Sequence, residues 1–148
     1  PQTKLVTNEI HPKRVIKPKL HMIVADGVTK ADRDMNVQRV GFIARAVARS
    51  GGVAICATIS PYAAARDELR AAAQKDGVRF LEIALTAPIE VLEKRDTKGL
   101  YAKARRGELP NFTGVSDPYE VPVEPELRLD TSELSEDQCF DAILKAVG

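Results

Sequence analysis

The sequence predicts an α/β domain, a parallel sheet with helices on both faces in three layers. Three observations predict it. Short apolar runs alternate with helical patterns, which is the order of βαβ units. The run Val53–Ile59 (VAICATI) is apolar throughout, as strands buried on both faces are. The 148 residues, 44% hydrophobic and 29% charged, suit one ordinary globular domain and argue against disorder.

Residues 1–28 read as a basic leader. Pro1, Pro12 and Pro18 interrupt it, and within residues 1–20 Lys4, Lys13, Arg14, Lys17 and Lys19 face a single acid, Glu9. Such a leader suits phosphate or nucleic acid. It also suits a solvated tail, and that plainer reading is preferred. His21–Ala25 (HMIVA) reads as a short strand ending at Asp26-Gly27.

Thr29 with Asp32 is a shortened capping box that starts a helix. Val37, Val40, Gly41, Ile43, Ala44 and Val47 carry its period, and Gly51-Gly52 ends it. Val53–Ile59 is the buried strand, broken by Ser60-Pro61. Tyr62–Lys75 is an alanine-rich helix closed by Gly77, and Val78–Leu85 is a further strand. Pro88 suits the first position of a helix running to Lys94. Gly99–Arg106 reads as another helix. Leu109–Pro125 holds five residues of the proline and glycine type, Pro110, Gly114, Pro118, Pro122 and Pro125, and reads as a long loop. Loops of that length are usually lids or binding loops. Glu126–Leu129 is a short strand. Ser135 and Gln138 cap the last helix, whose apolar face is Phe140, Ile143, Leu144 and Val147. In such sheets ligands gather at the carboxyl ends of strands. Here those ends are Ile59-Ser60-Pro61, Thr86-Ala87 and Asp130-Thr131.

A net charge of +1 selects no partner by bulk electrostatics. No apolar run is long enough to cross a bilayer, so no membrane is expected. Neither is a cleavable leader evident. Cys56 and Cys139 lack metal spacing and a disulfide framework, and read as reduced, buried thiols of a cytoplasmic protein.

Three stretches carry unusual polar groups. In the first, Arg33 and Asn36 share one side of a helix with Arg39 or Val40 a turn on. A guanidinium fork there matches phosphate oxygens. The same spacing suits a solvated charged face. In the second, Ser60 follows a strand and precedes a helix, with Arg66 a turn later. That is an anion position, or simply a helix N-cap. The third runs from Arg95-Asp96-Thr97-Lys98-Gly99-Leu100-Tyr101 to Asn111-Phe112-Thr113-Gly114. Its cations suit phosphates and Phe112 suits a base, or Phe112 is a packing anchor.

The order of the three is more specific than any one. TKADRDMNVQRVGFIA, ATISPYAAARDELR and PIEVLEKRDTKGLYAKARRGELPNFTGVSDPYEVPVEPEL together resemble adenylylsulfate kinase, from about Thr29 to about Thr131. The resemblance implies a P-loop-kinase-like fold, incomplete in its N-terminal part, with residues 29–148 as the kinase-like domain and a lid at about 101–120. It implies that ATP, with Mg2+, phosphorylates adenosine 5'-phosphosulfate (APS) at the ribose 3'-hydroxyl to give 3'-phospho-APS (PAPS). Arg33, Asn36, Arg39, Ile59, Pro61, Lys98, Gly99, Leu100, Phe112, Thr113 and Gly114 would bind APS, with Phe112 stacking on the adenine. Ser60 would lie beside the phosphate path as the catalytic-site serine, and Arg95 near the ATP base. A homodimer, or fusion or association with ATP sulfurylase, is the implied assembly.

The chain departs from the family in one respect that bears on chemistry. The family's G-x-x-x-x-G-K-S/T loop cradles the β- and γ-phosphates. None of the nine glycines here has that spacing, and none precedes lysine. Only Ala25-Asp26-Gly27-Val28 echoes the family's L-D-G-D segment, and residues 1–24 read as unmatched. The alternative is therefore a non-catalytic domain that binds APS or PAPS and regulates a partner enzyme.

Overall fold

Thr29 begins the first helix by exchanging hydrogen bonds with Asp32. In the computed structural model, which describes residues 29–148, Asp32 N donates to Thr29 Oγ1 at 3.2 Å. Thr29 N donates back to Asp32 Oδ2 at 3.0 Å. The Thr29 hydroxyl, donating to Asp32 Oδ2 at 2.6 Å, and then the Thr29 N–H hold the Asp32 carboxyl below its usual range. The helix α1 runs Lys30–Arg49 and stops where Gly51 turns to φ +84°, a conformation side chains disfavour. The leader and the strand expected at 21–25 lie outside the described residues.

Helix α2 (Ala63–Lys75) packs on α1 over Gly41. A Cβ at Gly41 would lie 2.2 Å from Leu69 Cδ2, so the helices meet where α1 has no side chain. Gln38 Nε2 donates to Glu68 Oε2 at 2.6 Å beside that contact. Val37 of α1 and Ala65 and Ala73 of α2 are buried.

Strands β1 (Ile83–Thr86) and β2 (Leu127–Asp130) pair in parallel, with Ile83 opposite Leu127 and Thr86 opposite Asp130. Parallel pairing requires a crossover. Here the crossover holds α3 (Ile89–Lys94), α4 (Leu100–Arg105) and the loop that follows α4. Helix α5 (Glu136–Val147) packs against β2. Its start carries the expected capping box of Ser135 and Gln138, and its last carbonyls accept from Arg79. Ala84 and Leu129 are the buried strand residues.

Ion pairs tie α2 to the sheet. Arg66 Nε lies 2.8 Å from Glu82 Oε1, and Arg70 Nη2 lies 3.1 Å from Glu82 Oε2. Arg70 also grips Glu126 with both terminal nitrogens. That grip drives the Glu126 carboxyl down to about 2 and raises the Arg70 pKa.

Four expectations are corrected. Val53–Ile59 forms no strand and is exposed throughout, with Ile55 89% exposed. An apolar run becomes a strand only by pairing its backbone, and neither described strand pairs with it. The strand expected over Val78–Leu85 occupies only Ile83–Thr86, because its partner starts at Leu127 and the N–H of Glu82 is taken by Glu126 Oε2 at 2.6 Å. Phe140 and Leu144 on α5 are exposed rather than covered. Cys56, carried on the exposed run, is exposed, and Cys139 is half-buried; both are free.

Candidate functional site

The turn Ile59–Tyr62 is built around a strained serine. Ser60 sits at φ 43°, in the left-handed region that a side chain disfavours. Two contacts hold it there. Arg66, 8% exposed, donates from Nη1 to Ser60 O at 2.8 Å, and the Thr58 and Ser60 hydroxyls share a hydrogen bond of 2.7 Å. Ser60 is not the N-cap of α2. Tyr62 takes that position without a side-chain cap, and Glu120 caps the helix from across the chain. Glu120 Oε2 accepts from Ala63 N at 2.5 Å, and Glu120 N donates to Pro61 O at 2.8 Å. Arg66 Nη2 donates to Glu120 O at 2.6 Å, closing the seam.

The loop 111–117 is folded on itself. Phe112 O accepts from the N–H groups of Val115, Ser116 and Asp117, each at 3.0 Å. Ser116 Oγ accepts from Phe112 N at 2.9 Å, and Gly114 N donates to Asp117 O at 2.8 Å. Two left-handed residues make this possible, Asn111 at φ 55° and Gly114 at φ 84°.

Arg33 of α1 meets this loop. Its Nη1 donates to Thr113 Oγ1 and to Asp117 Oδ2, both at 2.8 Å, and its Nη2 donates to Asn111 O. The Tyr62 hydroxyl donates to the same Asp117 oxygen at 2.7 Å, which pushes the phenol up from its ordinary value. Lys30 Nζ lies 4.4 Å over the Tyr62 ring, within cation–π range. The Phe112 ring stands edge-on to Tyr101, with centroids 5.2 Å apart.

Tyr101 links this junction to the start of α4. Asp96 accepts from Leu100 N at 2.9 Å and from Tyr101 N at 2.8 Å, so one carboxylate caps the helix. Gly99 enters it at φ 66°, with the exposed Lys98 just before. Arg95 reaches the carboxyl end of β2, donating to Thr131 O at 2.7 Å and Thr131 Oγ1 at 3.2 Å.

The structure thus gathers Arg33, Phe112, Thr113 and Gly114 with Ser60 and Pro61 through Tyr62, Asp117 and Glu120. Lys98, Gly99 and Leu100 precede Tyr101, the residue of that stretch that meets Phe112, and Lys98 and Leu100 are exposed. Asn36 lies one turn beyond Arg33 and is half-buried. Arg39 is on another face of α1, lining a shallow apolar hollow with Met35, Phe42 and Ile43. Ile59 is exposed, and Arg95 is held at the sheet edge. Asp117, Glu120 and Asp96 were not singled out by sequence reasoning. Asp-Pro after the Thr-Gly turn was the available signal for Asp117. Among the described residues no group of three or more His, Cys, Asp or Glu side chains is placed to hold a metal ion.

A family profile described as adenylylsulphate kinase matches residues 17–130, and so takes in part of the leader ahead of Thr29. The chain is 45% identical over 127 residues to an adenylyl-sulfate kinase of Chloroflexus aurantiacus, covering 86% of this chain and 66% of that protein. It is 47% identical over 118 residues to a probable bifunctional SAT/APS kinase of Sorangium cellulosum, covering 80% of this chain and 20% of that one. Among solved structures it resembles the Mycobacterium tuberculosis APS kinase in complex with AMPPNP and APS. That likeness has a TM-score of 0.78 at 36% identity and covers 82% of this chain and 69% of the other. The chain therefore spans about two thirds of the length of such single-function relatives. With the profile, the identities and the fold in agreement, this chain belongs to the adenylylsulfate kinase family.

Proposed function

We propose that this chain carries the APS-binding half of an adenylylsulfate kinase, the enzyme that makes PAPS from APS and ATP. One observation carries the reading. Arg33 of the D-R-x-x-N segment donates directly to Thr113 of the N-F-T-G loop, so two segments far apart in sequence form one polar junction. A guanidinium supplies fixed positive charge for an anionic phosphosulfate. Phe112 supplies a flat face for adenine. Lys98, exposed just before α4, supplies further charge.

In the reaction the 3'-hydroxyl oxygen of APS bonds to the γ-phosphorus of ATP. The bond from that phosphorus to the β–γ bridging oxygen breaks, ADP leaves, and the hydroxyl proton is released. Phosphoryl transfer of this kind asks for positioning and electrostatics more than covalent help. Ser60, held at a strained φ beside Arg66, is the candidate group at the phosphate path, and Arg95 the candidate at the ATP base. Mg2+ bound to ATP would neutralise phosphate charge. The described residues gather no cluster of three or more His, Cys, Asp or Glu for it.

The second reading is a regulatory domain that binds APS or PAPS without turnover. It draws on the same Arg33–Thr113 junction and needs no phosphate-binding loop. Pairing as a homodimer or association with ATP sulfurylase is compatible with both readings.

The experiment is direct. The chain is mixed with APS, ATP and Mg2+, and ADP and PAPS are quantified. APS binding is followed by calorimetry in parallel. PAPS with equimolar ADP establishes the kinase. Binding without product establishes the regulatory reading. Neither heat nor product ends both.

A further inference from the structure

Asp117 occupies an unusual position in the junction. Its Oδ2 accepts from Arg33 Nη1 at 2.8 Å and from the Tyr62 hydroxyl at 2.7 Å. Its backbone meanwhile closes the loop that carries Phe112, with Asp117 N donating to Phe112 O and Asp117 O accepting from Gly114 N. One residue therefore joins three pieces: α1 through Arg33, the entry to α2 through Tyr62, and the Phe112 loop through its own main chain.

The surroundings favour a directed contact over a casual surface pair. The Arg33 and Asp117 side chains are 20% and 18% exposed, and Tyr62 is 4% exposed. Exposed ion pairs contribute little because water competes for both partners; this pair is mostly screened from water and has a neutral third donor. The other local charges are already committed. Lys30 pairs with Asp34 at 2.5 Å, and Glu120 caps Ala63. Thr113 is the other side-chain acceptor of Arg33, and it is neutral.

We infer that Asp117 is a positioning residue. It latches the Phe112 loop to α1 and to the α2 turn, and so fixes the spacing between the Arg33 guanidinium and the Phe112 ring that an adenylyl sulfate would span. The latch itself follows from geometry within the chain. Its use for an adenylyl sulfate rests on the APS-binding reading above.

The test uses the full chain with Asp117→Asn, which keeps shape and removes charge, and Tyr62→Phe, which removes one hydroxyl only. Amide hydrogen exchange is read at Gly114, Val115 and Ser116, with β1 and α2 amides as the internal reference. Asp117→Asn should speed exchange at the loop about tenfold or more and leave the reference unchanged, and Tyr62→Phe should do the same to a smaller degree. Exchange at the loop unchanged in both variants, or raised equally everywhere, overturns the latch. APS affinity is measured alongside. Asp117→Asn should weaken APS binding about tenfold, and this loss should shrink in an Arg33→Ala background, because the carboxylate acts through the arginine. Additive losses overturn the positioning role. If the unmutated chain takes no APS while the loop amides still respond, the latch stands and the APS-binding reading falls.

Discussion

Glu120 places its carboxylate on the backbone N–H of Ala63, at 2.5 Å and 57 residues away along the chain. A helix start leaves its first N–H groups without partners, and α2 has no local side chain to serve them. Glu120→Ala should therefore destabilise the domain by about 0.5–2 kcal/mol, the range for losing a cap. Glu120→Gln keeps an acceptor and should cost clearly less. Urea unfolding of both variants gives the comparison, and equal losses would mean that the contact does not act as a cap.

Phe112→Ala should weaken APS binding by about 1–3 kcal/mol, the contribution of one stacked base. The ring also rests on Tyr101, so some stability is lost as well. Phe112→Tyr keeps the ring and should restore binding. Calorimetry that finds Phe112→Ala and the parent chain equal in affinity removes the stacking role.

Gly41→Ala sets two effects against each other. Alanine favours the helix by about 1 kcal/mol. The new methyl meets Leu69 Cδ2 at 2.2 Å, and overpacking of this kind costs about 1–3 kcal/mol. Clash should win, with a lower Tm, and Leu69→Ala in the same chain should relieve it. A higher Tm for Gly41→Ala alone would show that Leu69 moves aside at no cost.

Acid should loosen the seam between α2 and the sheet. The Glu126 carboxyl sits at about 2 in the folded chain against 4.5 ordinarily, mainly because Arg70 holds it ionised. A depressed carboxyl contributes stability that is fully present above 4.5 and is lost as pH falls towards 2. Glu126 is partly in water, so the contribution is modest. Unfolding free energy followed through this window should fall less steeply for Glu126→Gln than for the parent chain.

What the sequence made legible was mainly local. Thr29 with Asp32 and Ser135 with Gln138 are capping boxes within three residues, so their helix starts were readable and are found. Strands were harder, because a strand ends where its partner ends. Val78 was as strand-like as Ile83, yet β2 begins opposite Ile83. The site was harder still. Arg33 meets Asp117 across 84 positions, and spacing alone left Arg33 as an ordinary charged helix face. Only the family's motif order pointed at it. Glu120 carried no signal at all, since a cap supplied from another segment leaves no local pattern.

The uncovered run Val53–Ile59 has a consequence for handling. It is uncharged, free of proline and glycine, and rich in β-branched residues, which is the composition of segments that stack with their own kind into fibrils. Solubility should therefore be limited by concentration and time, with turbidity or thioflavin signal rising after a lag. A gatekeeper charge, Ile55→Lys, sits at an 89% exposed point of the run and should lengthen that lag while leaving the Arg33–Asp117 junction untouched.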